Sequence, residues 1–130
     1  MNIRRITALA LAVFVCTPAL AADFDGSKAL ICAPTEAMDC VADEDCTRGS
    51  PAAIGAPAFI RLDVTKKTIA GPKQTAKILY VDKTADRLLL QGTEFGYGWT
   101  MALEQASGKL VTTLVDENGV FVLFGACTPL

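Results

Sequence analysis

The sequence predicts an all-β protein, an antiparallel meander of roughly seven to eight strands that closes into a small barrel or sandwich. Three observations predict this fold class. Short segments rich in apolar residues recur along the second half of the chain, and each is bounded by residues typical of turns. Four cysteines beyond the first twenty residues could form two disulfides. The chain also begins with a segment typical of export, and exported proteins reach compartments in which disulfides form.

The export segment comes first along the chain and covers residues 1–21. Arg4 and Arg5 precede an apolar run, and residues 19–21 (Ala-Leu-Ala) are the small residues at which signal peptidase cleaves. The run is shorter than the about 20 residues that cross a bilayer. We therefore expect cleavage, no membrane span after it, and a periplasmic or secreted protein consisting of a single β-domain at residues 22–130.

The composition of this domain excludes several classes of function. Without Arg4 and Arg5 it keeps ten basic residues against fourteen acidic ones, a net charge of −4. This charge does not suit nucleic acid, which needs a basic surface. The chain has no histidine, so the usual Ser-His and Cys-His triads are excluded. No phosphate-binding or dinucleotide-binding glycine motif occurs either, and we expect neither a cofactor nor a catalytic residue.

The predicted strands follow one another with short turns between most of them. The first lies at residues 28–33, and the others lie at 58–63, 68–71, 76–81, 87–92, 98–105, 109–115 and 120–127. The segment between the first two, residues 34–57, contains three prolines and two glycines. It is expected to form a loop excursion, with a short helical turn at residues 35–38.

Two turns are expected to set the register of the last strands. The Asn-Gly pair at 118–119 is typical of a type I′ hairpin turn, and the Ser-Gly pair at 107–108 would form a second two-residue turn. This register places Trp99 on the buried face of the sheet. A three-residue turn at 106–108 would instead bury the opposite face, which includes Val111. Because the last strand is apolar on both sides, we expect both of its faces to be covered.

The cysteines are expected to staple the fold. Cys16 leaves with the export segment, so the mature chain holds Cys32, Cys40, Cys46 and Cys127. Three pairings are compatible with this number. We favour Cys40–Cys46 with Cys32–Cys127, because the first closes a tight acidic loop and the second ties the first strand to the last.

A metal site in the same region is less consistent with the sequence. Zinc sites use close pairs such as C-x2-C, often with histidine, and neither is present. The acidic residues at 39–45 lack the glycine and the closing glutamate of an EF-hand calcium loop. We therefore expect no metal.

The stretch QGTEFGYGWT at residues 91–100 contains the candidate ligand-binding residues. Phe95, Tyr97 and Trp99 alternate with glycines beside Glu94. Aromatic residues with a polar group favour ligand surfaces, so Glu94, Tyr97 and Trp99 are the candidates. The alternative, which we favour, is a bulged strand that enters the core with Trp99 as its main apolar side chain.

This layout resembles that of small exported bacterial β-proteins in which a Gly-x-Cys pattern, here residues 125–127, ends the last strand after a tryptophan-bearing strand and an SG turn. At the level of fold it is similar to the periplasmic inhibitors of C-type lysozyme, small barrels stapled between their first and last strands. The lysozyme-binding loop of that family, which bears serine and lysine, is not recognisable in this sequence. The resemblance therefore implies a fold and assigns no functional residue.

The function that the sequence favours is a non-catalytic binding or inhibitor module for a protein or small molecule of the cell envelope. A second hypothesis is a small hydrolase of envelope polysaccharide that uses two carboxylates, chosen from Glu94, Glu104 and Asp116. A third is a structural component of an envelope assembly, for which an exposed apolar patch on one sheet face would be the sign.

Overall fold

The computed structural model describes residues 23–130, and the predicted signal peptide at 1–21 lies outside the described residues. These residues contain one turn of 3-10 helix, Pro51–Ile54, and ten strands. The strands are β1 (Leu30–Val41), β2 (Thr47–Gly49), β3 (Ile60–Asp63), β4 (Thr68–Ala70), β5 (Thr75–Lys77), β6 (Tyr80–Lys83), β7 (Arg87–Glu94), β8 (Tyr97–Glu104), β9 (Lys109–Val115) and β10 (Gly119–Pro129). Across residues 23–130, no helix has the length and apolar character needed to cross a membrane.

All ten strands belong to one antiparallel sheet, which confirms the predicted fold class. The order is β5-β4-β3-β1-β10-β9-β8-β7-β6, with β2 paired to β1 beside this path. The sheet curls into a half-barrel, and its two edge strands, β5 and β6, are consecutive in the chain. The Ile78 N–H donates to the Lys67 carbonyl at one edge (2.9 Å), and the Leu79 N–H donates to the Gln91 carbonyl at the other (2.9 Å). The single strand predicted at 76–81 is thus divided into β5 and β6, and residues 78–79 connect the two edges of the half-barrel. The eight predicted strands correspond to eight positions around the barrel, hereafter called the ring.

The two ends of this barrel differ in how they are filled. The packed end carries the β3–β4, β6–β7 and β8–β9 turns together with residues 23–29, and the open end carries the β4–β5, β7–β8 and β9–β10 turns. Leucines fill the packed end, where the fully buried side chains include Leu30, Leu62, Leu88 and Leu103. Because such side chains leave no room between them, this half of the barrel is a solid core.

The first described residues seal the packed end. Phe24 packs against the core and covers Gly108, where a Cβ atom would lie only 2.6 Å from the Phe24 Cε1 atom. The Asp25 carboxylate accepts a hydrogen bond from the Ser27 N–H (2.9 Å) and forms an ion pair with Lys83 (3.3 Å). These contacts fasten residues 23–29 across the end of the ring.

Both predicted disulfides are present. Cys32 and Cys127 are directly opposite each other in the pairing of β1 with β10, and both are buried. Cys40 and Cys46 close the β1–β2 hairpin, in which residues 41–50 are all exposed. One bridge therefore ties the first strand of the ring to the last, and the other holds a hairpin that projects from the ring.

The predicted loop excursion at residues 34–57 is wrong over much of its length. β1 continues to Val41, and β2 pairs with it. Pro34 coincides with a register shift, since Pro34 pairs with Gly125 whereas Glu36 pairs with Phe124. Proline is tolerated at such a bulge because its missing N–H is not needed there. The helical turn lies at Pro51–Ile54 and not at residues 35–38.

The last hairpin is present, but its turn differs from the prediction. Leu114 pairs with Phe121, so Glu117 and Asn118, and not the Asn-Gly pair, are the central turn residues. The Asp116 carboxylate accepts hydrogen bonds from the N–H groups of residues 118 (2.9 Å) and 119 (3.1 Å). Neither central residue has a positive φ, so a carboxylate-capped turn replaces the type I′ turn.

The β8–β9 connection also differs in length, since four residues, 105–108, separate the two strands. This length and the shift in the last hairpin are both displacements by an even number of residues. Side chains alternate between the two faces of a strand, so an even displacement keeps each one on its predicted face. Trp99 is accordingly buried, with 7% of its surface exposed, and Val111 lies on the outside.

The expectation that β10 is covered on both faces is wrong for the described residues. Its inner face contributes Leu123 and Cys127 to the core. On the outer side, Phe124 lies beside Val111, and Val120 lies beside Val115. Phe124, Val111 and Val115 are all exposed, Val115 to 50%. The outside of the barrel thus carries an apolar patch on β9 and β10.

Candidate functional site

A cavity of about 440 Å³ occupies the open half of the barrel. Its walls are mostly apolar and come from strands all around the ring. The residues include Ile60 of β3, Ile69 of β4, Ala76 of β5, Met101 of β8, and Leu110 and Leu114 of β9. An eight-stranded barrel has an interior that side chains can just fill or that can hold one small ligand. In this barrel, side chains fill one half of the interior, and the other half has space for a small ligand.

The inward-facing residues of β5 and β7 become small toward the open end. Inward positions on β7 run Leu88, Leu90 and then Gly92, and all three residues are buried. On β5 the inward position is Ala76, which faces the cavity. Alanine at a position where the other half has leucine leaves space between the strands unfilled, whereas the space in front of Gly92 is occupied by the Trp99 indole. Outside the strands, Gly55, Pro57 and the β4–β5 turn complete the wall of the cavity.

Gly92 also positions the indole of Trp99, its partner in the pairing of β7 with β8. A Cβ atom at Gly92 would lie 2.7 Å from the Trp99 Cε2 atom and 2.6 Å from the Lys77 carbonyl oxygen. Real Cβ atoms do not come so close to other heavy atoms, so only glycine allows the ring to lie in this place. Trp99 belongs both to the core cluster and to the cavity wall.

Polar side chains occur at the mouth of the cavity. Lys73 and Gln74 come from the β4–β5 turn, and Glu94 comes from the end of β7. The mouth therefore carries one charge of each sign on an otherwise apolar opening. A ligand with an apolar body and a polar end would match this arrangement.

Of the three predicted binding residues, the structure brings Glu94 and Trp99 to the cavity and places Tyr97 beside it. Tyr97 pairs with Glu94 across the hairpin and packs against Phe121, with ring centroids 6.2 Å apart. The core interpretation and the binding interpretation of Trp99 are therefore compatible, because this side chain lies where the core ends and the cavity begins.

The stretch before Trp99 is a hairpin turn and not the bulged strand that the sequence suggested. Phe95 and Gly96 are its two central residues, with φ of 49° and 83°. Positive φ at both positions is the requirement of a type I′ turn, which usually selects asparagine, aspartate or glycine. Phe95 is instead a large apolar residue in a costly conformation, and 71% of its surface is exposed.

The three acids considered for hydrolysis do not form a pair in the cavity. Glu104 ends β8 at the packed end of the barrel, whereas Glu94 ends β7 at the open end. Asp116 belongs to the last turn, where hydrogen bonds from the Asn118 backbone lower the pKa of its carboxyl, with smaller contributions from Gly119 and the Tyr97 hydroxyl. Glu94 is the only carboxylate among the described residues that line the cavity.

The described part of the chain likewise shows no cluster of three or more histidine, cysteine or acidic side chains able to hold a metal ion. The exposed acidic residues of the β1–β2 hairpin, Asp43, Glu44 and Asp45, are thus not assembled into such a site.

Sequence reasoning missed most of the cavity wall, including Ile60, Ile69 and Ala76. An inward apolar residue has the same local pattern whether the space in front of it is filled or empty. The one available signal was the small inward residue Ala76, which becomes meaningful only when the opposite wall of the barrel is known.

Comparisons of the chain with protein families, with curated proteins and with solved structures give no match.

Proposed function

We propose that this protein is an exported, non-catalytic binding module that takes an apolar small molecule, or the apolar part of a larger one, into the cavity at the open end of its barrel. The observation that carries the proposal is the contrast within the ring. One half is filled by leucines, and the other half leaves about 440 Å³ between the same strands.

The size and the lining of the cavity support a small ligand. Pockets for small molecules typically have volumes of roughly 300–1,000 Å³ and predominantly apolar walls with a few polar groups. Transfer of apolar surface from water to such walls is favourable by about 25 cal/mol per Å². Ile69, Met101 and Leu114 supply walls of this kind, and Lys73 and Glu94 supply polar groups at the mouth.

Binding fits the carboxylates better than hydrolysis does. Hydrolysis of glycosides commonly needs two carboxyl groups on either side of the bond, one of them with a raised pKa so that it can act as an acid. Only Glu94 lines the cavity among the described carboxylates, and the pKa of Asp116 is lowered. The described residues thus offer the cavity no acid partner for Glu94.

The disulfides support export as part of the proposal. Two bridges, one of them in an exposed hairpin, are typical of proteins that fold in an oxidising compartment. Together with the predicted signal peptide at residues 1–21, they favour the periplasm or the exterior of the cell.

The test uses the neutral fluorescent probe N-phenyl-1-naphthylamine. We expect the wild-type protein to bind it with an increase in emission. The variant Ala76→Phe places a ring in the cavity and should weaken binding at least about tenfold, since the space that the probe needs is filled. Thr75→Phe is the matched control, because the neighbouring residue is exposed on the same strand.

Two results would contradict the proposal. One is a wild-type protein that does not bind the probe. The other is equal binding by the Ala76→Phe variant and the wild type, which would assign the probe to another surface. Circular dichroism and thermal unfolding of both variants establish that the barrel is intact.

A second candidate function, a component of an envelope assembly, is favoured by the apolar patch on the outside of β9 and β10. Val111, Val115 and Phe124 expose apolar surface there, and such patches often mark sites of protein association. Sedimentation velocity with the wild type and with Val115→Lys tests whether this patch causes self-association.

The inhibitor form of the proposal has a direct assay as well. Addition of the purified protein to C-type lysozyme should reduce lysis of bacterial cells if the ligand is an enzyme of this kind. Unchanged lysis at a large molar excess would remove this form and leave the small-molecule form.

A further inference from the structure

The indole N–H of Trp99 is a buried hydrogen-bond donor without a partner. Among the described residues, it is the one buried side-chain nitrogen or oxygen that makes no hydrogen bond. Buried polar groups are almost always paired, and a tryptophan N–H in a protein interior usually finds an acceptor. An unpaired donor beside a cavity therefore calls for an explanation.

We propose that Trp99 Nε1 is the specificity-determining donor of the cavity, and that the ligand carries a neutral hydrogen-bond acceptor on an apolar body. This inference rests on the proposed function, since it names the chemistry that the same cavity selects. The indole nitrogen is a donor only, so its partner must be an acceptor oxygen or nitrogen. The apolar walls around it favour a ketone, ester or ether over a charged group.

The position of the indole is specified by its surroundings. Gly92 provides the notch in which the nitrogen-bearing edge of the ring lies, since a Cβ atom there would be 2.7 Å from Cε2, the atom bonded to Nε1. The Lys77 carbonyl oxygen lies at the same notch, 2.6 Å from that Cβ position, yet it makes no hydrogen bond with the indole. A phenylalanine would fill this part of the core without bringing a donor into it.

The indole is also part of the cavity wall. Trp99 lines the cavity together with Met101, and Nε1 itself is covered by protein atoms. A ligand in the cavity must therefore shift the ring to form the bond. The flexible side chain of Met101 is suited to accommodate such a shift.

A pair of probes of the same shape separates the donor from mere packing. Benzophenone carries a carbonyl oxygen where 1,1-diphenylethylene carries a CH₂ group. Affinities for both are measured by displacement of N-phenyl-1-naphthylamine, with the wild type and with Trp99→Phe. We expect the substitution to weaken benzophenone about tenfold, which corresponds to about 1.4 kcal/mol, and to change the affinity for 1,1-diphenylethylene less than about threefold.

The wild-type protein provides a second readout that does not depend on a variant. Trp99 is the only tryptophan of the chain, so its indole N–H gives one assignable signal in a ¹⁵N–¹H spectrum. Benzophenone should move the proton downfield and slow its exchange with solvent, whereas 1,1-diphenylethylene should do neither. Met101→Leu, which changes the wall without removing a donor, should affect both probes alike.

The outcomes separate this inference from the proposed function. If Trp99→Phe weakens both probes equally, or if benzophenone does not bind while N-phenyl-1-naphthylamine does, the inference is wrong and the proposed function stands. An indole proton that is already hydrogen-bonded in the free protein, for example to the Lys77 carbonyl, and that benzophenone does not move, would also overturn it. If no probe binds the wild type, both proposals fail together.

Discussion

The packed end and the open end of the barrel are built from the same strands with opposite choices of inward side chain. Along β7, Leu88 and Leu90 fill the packed half, and Gly92 leaves room for the Trp99 indole at the start of the open half. The residue next to Gly92 across the sheet, Trp99, then lies over the notch. The hollow therefore arises from the inward residues of regular strands together with the β4–β5 turn, whose residues Pro72, Lys73 and Gln74 also line it.

The two ends are also expected to differ in their contribution to stability. The packed end holds the fully buried leucines and the buried disulfide, whereas the cavity wall includes partly buried residues such as Ile69 and Leu114. Stability is often unevenly distributed within one fold, and binding regions come from its less stable part. Four experiments test this difference between the two ends.

The largest effect is expected from the disulfides. Replacement of Cys32 and Cys127 by alanine opens a bridge that spans 95 residues and should lower the free energy of unfolding by about 4–5 kcal/mol. The same change at Cys40 and Cys46, with a separation of 6 residues, should cost about 2 kcal/mol, because a shorter loop constrains the unfolded chain less. Urea unfolding monitored by Trp99 fluorescence measures both. Equal losses of unfolding free energy in the two variants would contradict the expectation that linking the first strand to the last stabilises the fold more than closing the short hairpin does.

A pair of leucines compares the two ends directly. Leu103→Ala at the packed end removes a fully buried side chain and should cost about 2–5 kcal/mol in free energy of unfolding. Leu114→Ala, on the adjacent strand at the cavity wall, should cost less than about 2 kcal/mol, since part of its surface has no packing partner to lose. Urea unfolding of the two variants measures both losses of unfolding free energy. A larger loss at Leu114 would reverse the proposed distribution of stability.

A substitution in the β7–β8 turn at the open end should increase the stability of the protein. Phe95→Asn places a residue that tolerates positive φ at a position where φ is 49°, and it should raise the free energy of unfolding by about 0.5–1 kcal/mol. Thermal unfolding measures the gain. Phe95→Ala is the control, because it removes the aromatic ring without the tolerance of asparagine for this conformation. If asparagine instead lowers the free energy of unfolding, the contacts of the Phe95 ring stabilise the protein more than the better turn conformation does.

The smallest effect is expected for the pH dependence of stability that Asp25 causes at the packed end. Hydrogen bonds from Ser27, and then the charge of Lys83, lower the pKa of Asp25 to about 2. A carboxyl of ordinary pKa in the unfolded chain binds protons first, so this stabilisation is present above about pH 4 and is lost as the pH falls toward 2. Asp25→Asn should make the melting temperature less dependent on pH in this interval.

Ser27→Ala removes one of the donors and should reproduce part of that change. A melting curve of Asp25→Asn with the pH dependence of the wild type would show that residues 23–29 do not depend on this carboxylate.

Most of the fold could be predicted from the sequence, because its strands alternate and its turns are marked. The segment at 76–81 was predicted as one strand, and it is the segment that joins the two edges of the sheet. Residues 34–41 could not be predicted, since Pro34 signals a loop locally and only the pairing with β10 turns it into a bulge. The turn at 118–119 was predicted wrongly because the Asp116 carboxylate accepts the hydrogen bonds of the N–H groups at 118 and 119. The sequence pattern of a type I′ turn does not take account of such a side-chain acceptor.

The candidate site was predictable only in part, for a different physical reason. Glu94 and Trp99 stand out by chemical type, and the structure brings both to the cavity. Ile60 and Ala76 do not stand out, since whether an inward residue meets another side chain or an empty space depends on the opposite wall of the ring. That wall is distant in sequence, and no local pattern reports on it.

The closure of the ring has a consequence for the order in which the chain folds. Each strand from β7 to β10 pairs with its neighbour in sequence through a short hairpin, whereas β1 meets β10 from about the other end of the domain. Local pairings lose little entropy on closing, and distant ones lose more and form more slowly. We expect the hairpins to assemble first and β1 to dock last. During oxidative refolding the Cys40–Cys46 bond should then appear early, and the Cys32–Cys127 bond should mark the moment at which the cavity acquires its complete wall.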